Sequence, residues 1–115
     1  QNSEFFPLII PIIEKLDSWI LLSAKINSLD RTESIVENLM HIDLMNKSYL
    51  KTNPFNTAVF YLNNNNGYTK FETGEKVTTE KNKLIVFDGN KRHTGTSNSC
   101  EAKRRVVLNI NYIPL

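Results

Sequence analysis

His41-Ile42-Asp43 sets an imidazole and a carboxylate two positions apart. In an extended strand, residues i and i+2 project from the same face, so both side chains can grip one ion. The chain has two histidines, and the second, His93, opens another short strand-like run much later in the sequence. Two histidines and one carboxylate are the ligand set that holds non-haem Fe(II) while leaving coordination positions open. Open positions admit a cosubstrate together with dioxygen, which a closed four-ligand zinc site does not. The same spacing also fits a plainer arrangement, a surface or core His41 beside a solvated Asp43, and spacing alone does not separate the two.

Several other chemistries are excluded. The chain carries one cysteine, so it has no internal disulfide and, with two histidines, no thiolate-rich zinc knot. It has no nucleophile elbow, no phosphate-cradling Gly-rich loop and no dinucleotide fingerprint. Cys100, beside Asn98 and Ser99, reads as a loop residue and not as a nucleophile. Fourteen Lys and Arg against twelve Asp and Glu leave a net charge of +2, which gives no push toward nucleic acid.

The elements that must position these groups fit within 115 residues, enough for a single domain spanning 1–115. Leu8, Ile12, Ile13, Leu16, Trp19 and Ile20 recur at helical offsets, which predicts one amphipathic helix over about 7–22. From residue 24 onward, short runs rich in Val, Ile, Phe, Tyr and Thr alternate with Asn, Gly and Lys clusters, the mark of strands and turns. Strands are expected over 24–29, 35–43, 56–63, 68–72, 76–79, 83–87, 92–97 and 104–112. The Asn63–Gly67 run and Thr73-Gly74 read as turns, making 56–79 a pair of consecutive hairpins. Residues 44–55 form a polar loop of the length often found in functional lids. The expected fold is mainly β, with one helix packed on a sandwich or jelly roll. The apolar run Phe5–Ile13 is broken by Pro7 and Pro11 and is too short to span a membrane; with no signal-peptide pattern, a cytoplasmic location is expected.

Five segments follow one another along the chain: Thr57-Ala58-Val59-Phe60-Tyr61-Leu62-Asn63, Gly67-Tyr68-Thr69-Lys70-Phe71, Asn82 to Asp88, His93-Thr94-Gly95-Thr96, and Arg105 to Tyr112. With His41-Ile42-Asp43 ahead of them, they resemble in order the 2-oxoglutarate and Fe(II) dependent oxygenases, in particular the prolyl-hydroxylase-like branch with its phage and marine microbial relatives. The resemblance covers about residues 24–112. It implies a distorted double-stranded β-helix, a cupin-like jelly roll, whose mouth holds Fe(II) and 2-oxoglutarate. His41, Asp43 and His93 match the metal ligands. Tyr61 and Arg105 match the residues that meet the far carboxylate of 2-oxoglutarate, and a guanidinium can bind a carboxylate through two parallel hydrogen bonds.

Strand parity bears on the Lys103-Arg104-Arg105 run. Arg105, Val107, Asn109 and Asn111 share one face, and Val106, Leu108, Ile110 and Tyr112 the other. Arg105 therefore lies with Asn109 on a face able to line a polar cavity, and Asn109 joins Arg105 and Tyr61 as a cosubstrate-binding candidate. Arg104 falls on the opposite, apolar face. Asn27 sits on a family-matching strand and is a further lining candidate.

The resemblance implies hydroxylation of a C–H bond coupled to conversion of 2-oxoglutarate to succinate and carbon dioxide, with dioxygen as co-reactant and ascorbate as a further candidate reductant. Asp43 stands where related halogenases have a small residue, which leaves halide no ligand position. Family members carry more sequence ahead of this helix, so the chain reads as an N-terminally truncated member, with Phe5 and Phe6 to be covered by missing sequence or by a second subunit in a homodimer. The primary substrate is open, a peptide or protein side chain or a small molecule being favoured over nucleic acid. The competing readings are a non-catalytic β-sandwich binding module and a cupin-like metalloprotein without 2-oxoglutarate.

Overall fold

The computed structural model describes residues 19–42 and 55–114. Seven strands run through them: β1 Trp19–Asp30, β2 Asn56–Tyr61, β3 Tyr68–Phe71, β4 Lys76–Thr78, β5 Leu84–Asp88, β6 His93–Gly95 and β7 Arg104–Pro114. They form a four-stranded sheet of order β1-β7-β2-β5 and a three-stranded sheet of order β4-β3-β6, with every pairing antiparallel. The protein is therefore mainly β, as its alternating Val, Ile, Tyr and Thr runs require. No helix among the described residues is long and apolar enough to cross a membrane.

The large sheet carries an apolar cluster on each face. One face carries Ala58, Leu108, Ile110 and Tyr112, with Leu21, Phe60 and Leu84 packed on them. The other carries Val59, Tyr61 and Val107 with Ile85 and Phe87, joined by Val77 from the small sheet. This second cluster ties the two sheets together through side chains, and the candidate site opens beside it.

Three expectations need correction. Residues 7–18 of the expected helix and the 44–54 part of the expected loop lie outside the described residues, but the helix's last turn does not form: Trp19, Ile20 and Leu21 are strand, paired with Pro114, Ile113 and Tyr112. β7 runs on to Pro114 and offers these residues a ladder, which outweighs their helical spacing. Second, the described part of the expected 35–43 strand, residues 35–42, is not a regular strand. Glu37 faces Thr96 and His41 faces His93 in isolated bridges. One side advances a residue more than the other, the count of a β-bulge, and Leu39 inside it is 89% exposed. Third, β2 and β3 are not a hairpin, because β2 pairs with β5 and β7 while β3 pairs with β4 and β6. The Asn-rich connection crosses between the sheets. Asn63 donates to the Arg104 carbonyl and accepts from Val106 N, and Asn66 bonds Ser99, so its amides are used by distant backbone in place of a tight turn. The β3–β4 turn is as expected: Gly74 takes φ +95°, and its amide reaches the Phe71 carbonyl at 2.8 Å.

Candidate active site

A cavity of about 230 Å³ lies between the sheets. From the large sheet come Asn27 and Leu29 of β1, Val59 of β2, and Arg105, Val107 and Asn109 of β7. From the small sheet come Thr69 of β3 and His93 and Gly95 of β6, and the bulged segment adds Asn38 and His41. A period of two puts Arg105, Val107 and Asn109 on the same side of β7, and all three are buried.

His41 and His93 are cross-strand neighbours. Each donates its backbone amide to the other's carbonyl, at 2.8 and 3.1 Å. Their rings lie 4.7 Å apart at an interplanar angle of 51°. His41 Nδ1 donates to the Leu39 carbonyl at 3.1 Å, and His93 Nδ1 donates to the Lys91 carbonyl at 3.0 Å. A carbonyl oxygen only accepts, so each ring donates through Nδ1. Metal-binding histidines are oriented by this kind of bond to the other ring nitrogen. Two imidazoles bound at about 2.1 Å to one ion and at right angles have ring centres roughly 4.5 Å apart, close to the spacing found. Phe87 packs edge-on against His93 at 4.8 Å, and Phe71 packs against Phe87 in turn. The donor set thus fits a divalent ion as far as it is described. Asp43 lies outside the described residues, and among those described no group of three His, Cys, Asp or Glu side chains gathers on one point.

Arg105 is 4% exposed. Its Nε donates to Thr79 Oγ1 at 3.0 Å and its Nη2 to Thr69 Oγ1 at 3.5 Å, while the guanidinium carbon sits 5.7 Å from the centre of the Tyr61 ring. Among the described residues no carboxylate lies within ion-pair distance of it. Burial pulls the Arg105 guanidinium below its ordinary pKa, yet an arginine remains protonated in a protein interior. A buried permanent cation paired only with neutral hydroxyls and a ring face is costly unless an anion joins it. Arg104, its chain neighbour, is exposed and reaches Asp30 at 3.1 Å and Ser28 at 3.2 Å.

The other expected residues divide. Asn109 and Asn27 line the cavity. Asn111, on the same face of β7, is engaged deeper, where it accepts from Thr57 and donates to Ser23. Tyr61 is fully buried but does not reach the cavity wall; its hydroxyl lies 2.7 Å from Thr69 Oγ1. Burial pushes its phenol above the ordinary range, against the opposing pulls of Thr69 and Arg105.

Sequence reasoning missed Thr69, Thr79 and two glycines. A Cβ on Gly67 would stand 2.5 Å from Arg105 Cδ, 2.8 Å from Arg105 Nε and 2.8 Å from the Ser97 carbonyl. Gly67 therefore clears the path of the arginine side chain, and Gly95, where a Cβ would stand 3.2 Å from Nη1, clears the space in front of it. In the sequence Gly67 ends an Asn turn and Thr69 lies in the Gly67–Phe71 segment with no individual role; only their three-dimensional neighbours give them these roles.

The chain matches no protein-family model and no curated protein.

Proposed function

We propose that this chain is the core of a 2-oxoglutarate and Fe(II) dependent dioxygenase that hydroxylates a substrate C–H bond, built as a double-stranded β-helix of the jelly-roll kind. The observation that carries the reading is the placement of a buried Arg105, with no carboxylate within ion-pair distance among the described residues, on the wall of the cavity that His41 and His93 line. A site for a dicarboxylate that also chelates a metal needs a cation at one end and open metal ligands at the other. In this reading His41 and His93, with Asp43 as the sequence-assigned third ligand, hold the iron, which when bound supplies dioxygen activation coupled to oxidative decarboxylation of 2-oxoglutarate.

The chain's own residues do the rest. Arg105 binds the far carboxylate and so sets the length of acid that fits. The Leu39 and Lys91 carbonyls hold the imidazoles through Nδ1, the orientation in which a histidine binds metal by Nε2. Val59, Val107 and Leu29 make the cavity partly apolar, which limits water around the reacting groups. A cupin-like metalloprotein without 2-oxoglutarate has no use for the buried cation, and a non-catalytic module has no use for the oriented histidine pair.

The test is succinate formation by the purified chain given Fe(II), 2-oxoglutarate and dioxygen. Succinate is expected from the wild type and not from His93→Ala or Arg105→Ala. Tight metal binding with no succinate and no affinity for 2-oxoglutarate would favour the cupin-like alternative.

A further inference from the structure

β1 ends the larger sheet, and among the described residues no strand lies beyond it. Arg31 prolongs its ladder, donating its amide to the Lys103 carbonyl at 2.9 Å. Antiparallel strands exchange hydrogen bonds at alternate residues. With Leu29 opposite Arg105 and Asn27 opposite Val107, the backbone of Asn27, Leu29 and Arg31 is therefore used by β7. The amides and carbonyls of Ile26, Ser28 and Asp30 point the other way, out of the sheet, and bond no backbone group among the described residues. The side chains around them are open as well: Lys25, Ser28, Asp30 and Arg31 are exposed, Ile26 is 46% exposed and Leu29 36%. An edge of this kind is a template for another strand.

Charge decides which strand. Lys25, Asn27, Leu29 and Arg31 share one face of β1 and its continuation, the face on which Asn27 and Leu29 line the cavity. Neither Lys25 nor Arg31 forms an ion pair among the described residues. A second copy of the chain offers them no partner, because antiparallel self-pairing sets this face against itself and along 23–31 it carries no acid. Asp30 is on the other face, where Arg104 reaches it at 3.1 Å. We infer that the β1 edge docks an extended segment of another protein, which adds as a fifth strand and carries two acidic side chains six residues apart, one opposite Lys25 and one opposite Arg31. The segment runs antiparallel, the more stable pairing per residue. Main-chain bonds at Ile26, Ser28 and Asp30 hold it, and the two cations select it. Docking needs neither a metal nor 2-oxoglutarate, so the inference stands apart from the dioxygenase reading, although the added strand lies along the rim of the same cavity at Ser28 and Leu29.

The probe is a blocked heptapeptide, Glu-Thr-Val-Thr-Val-Thr-Glu, titrated into the isotope-labelled full chain and followed by amide NMR. The Ile26 and Ser28 amides should shift and saturate. The same peptide N-methylated at its three threonines, which lacks the amides facing β1, should give no saturable shift. Replacing both glutamates by lysine should weaken binding at least about tenfold, two ion pairs having become two repulsions. The chain with Lys25→Glu and Arg31→Glu should reverse that preference and bind the lysine peptide better. Should it fail to fold, Lys25→Gln with Arg31→Gln should bind the two peptides alike. Equal binding of the glutamate and lysine peptides by the wild type overturns the inference, as does an N-methylated peptide that binds like its parent or the lack of any saturable shift at millimolar peptide. A concentration-dependent dimer of the chain alone that shifts the same two amides would give the edge to a second copy and overturn it too.

Discussion

Arg104 and Arg105 are consecutive residues of β7 that leave the strand on opposite faces, Arg104 to an exposed ion pair with Asp30 and Arg105 into the cavity between the sheets. The same residue type thus sits in two dielectric environments one peptide apart. An exposed pair of the Arg104 kind is worth about 0–1 kcal/mol. A buried guanidinium with no acid beside it costs folding energy that its hydroxyl partners return only in part.

Replacing Arg104 by Ala should therefore change stability by no more than about 0.5 kcal/mol and leave 2-oxoglutarate binding as it was. Arg105→Met should keep or raise the melting temperature, because an apolar side chain of similar volume relieves the unpaired charge, and should weaken 2-oxoglutarate by at least about tenfold. Thermal denaturation and calorimetry on the two variants check both halves. A large destabilisation by Arg105→Met would mean that the arginine serves the fold and not a ligand.

Gly67 and Gly74 separate two reasons for glycine. Gly74 has a positive φ and no heavy atom within 4 Å of an added Cβ, so Gly74→Ala should cost only the left-handed backbone penalty, about 1–2 kcal/mol, with binding intact. Gly67→Ala places a methyl against Arg105 and the Ser97 carbonyl, and overpacking of this kind costs about 1–3 kcal/mol. It should also impair 2-oxoglutarate binding, since the arginine must move. Equal binding by both variants would contradict the clearance role.

The histidine pair predicts a divalent-ion site that does not need the cosubstrate. Titration of the chain with Mn(II), followed by paramagnetic broadening, should show one site that His93→Ala abolishes. His41→Ala should weaken it by at least about tenfold, the loss of one ligand. Arg105→Met should leave it unchanged, since no part of that side chain is a ligand. Retained Mn(II) affinity in His93→Ala would remove the metal from the account.

Tyr61 gives stability a pH dependence at the alkaline end. Its folded pKa is raised, first by burial, so the folded state holds the phenolic proton more tightly than the unfolded chain does. That contribution is complete below the ordinary tyrosine value of about 10 and is lost as pH rises through the higher folded value. Denaturant melts should show stability falling above about pH 10, and Tyr61→Phe should flatten part of that fall. Tyr68, raised by its hydrogen bond to Glu37, contributes in the same sense from an exposed position and would remain in the Tyr61→Phe variant.

The sequence was most legible where a period of two met a buried face. The alternation of β7 placed Arg105 with Val107 and Asn109, and they share the cavity; the same rule sent Arg104 out. What local pattern did not carry was the way the chain uses distant partners. Asn63 and Asn66 look like turn residues, yet their amides bond backbone and side chain of the segment around 99–106, so the chain changes sheets there. The extra residue between Asn38 and His41 is visible only once β6 stands opposite. The helical spacing of Trp19 and Ile20 lost to a ladder supplied by the far end of the chain. Thr69 and Gly67 owe their places in the site to the course of one arginine side chain from another strand.

The decisive measurement is an anaerobic titration of the Fe(II)-loaded chain with 2-oxoglutarate, followed by visible absorption. If His41 and His93 help hold iron in the cavity that Arg105 faces, chelation by the oxo acid should produce a saturable iron-to-ligand charge-transfer band. The band should be missing in His93→Ala and should need at least about tenfold more 2-oxoglutarate in Arg105→Met. A folded, iron-loaded chain that shows no band at any 2-oxoglutarate concentration, or one whose band is indifferent to both substitutions, would contradict the assignment of this cavity.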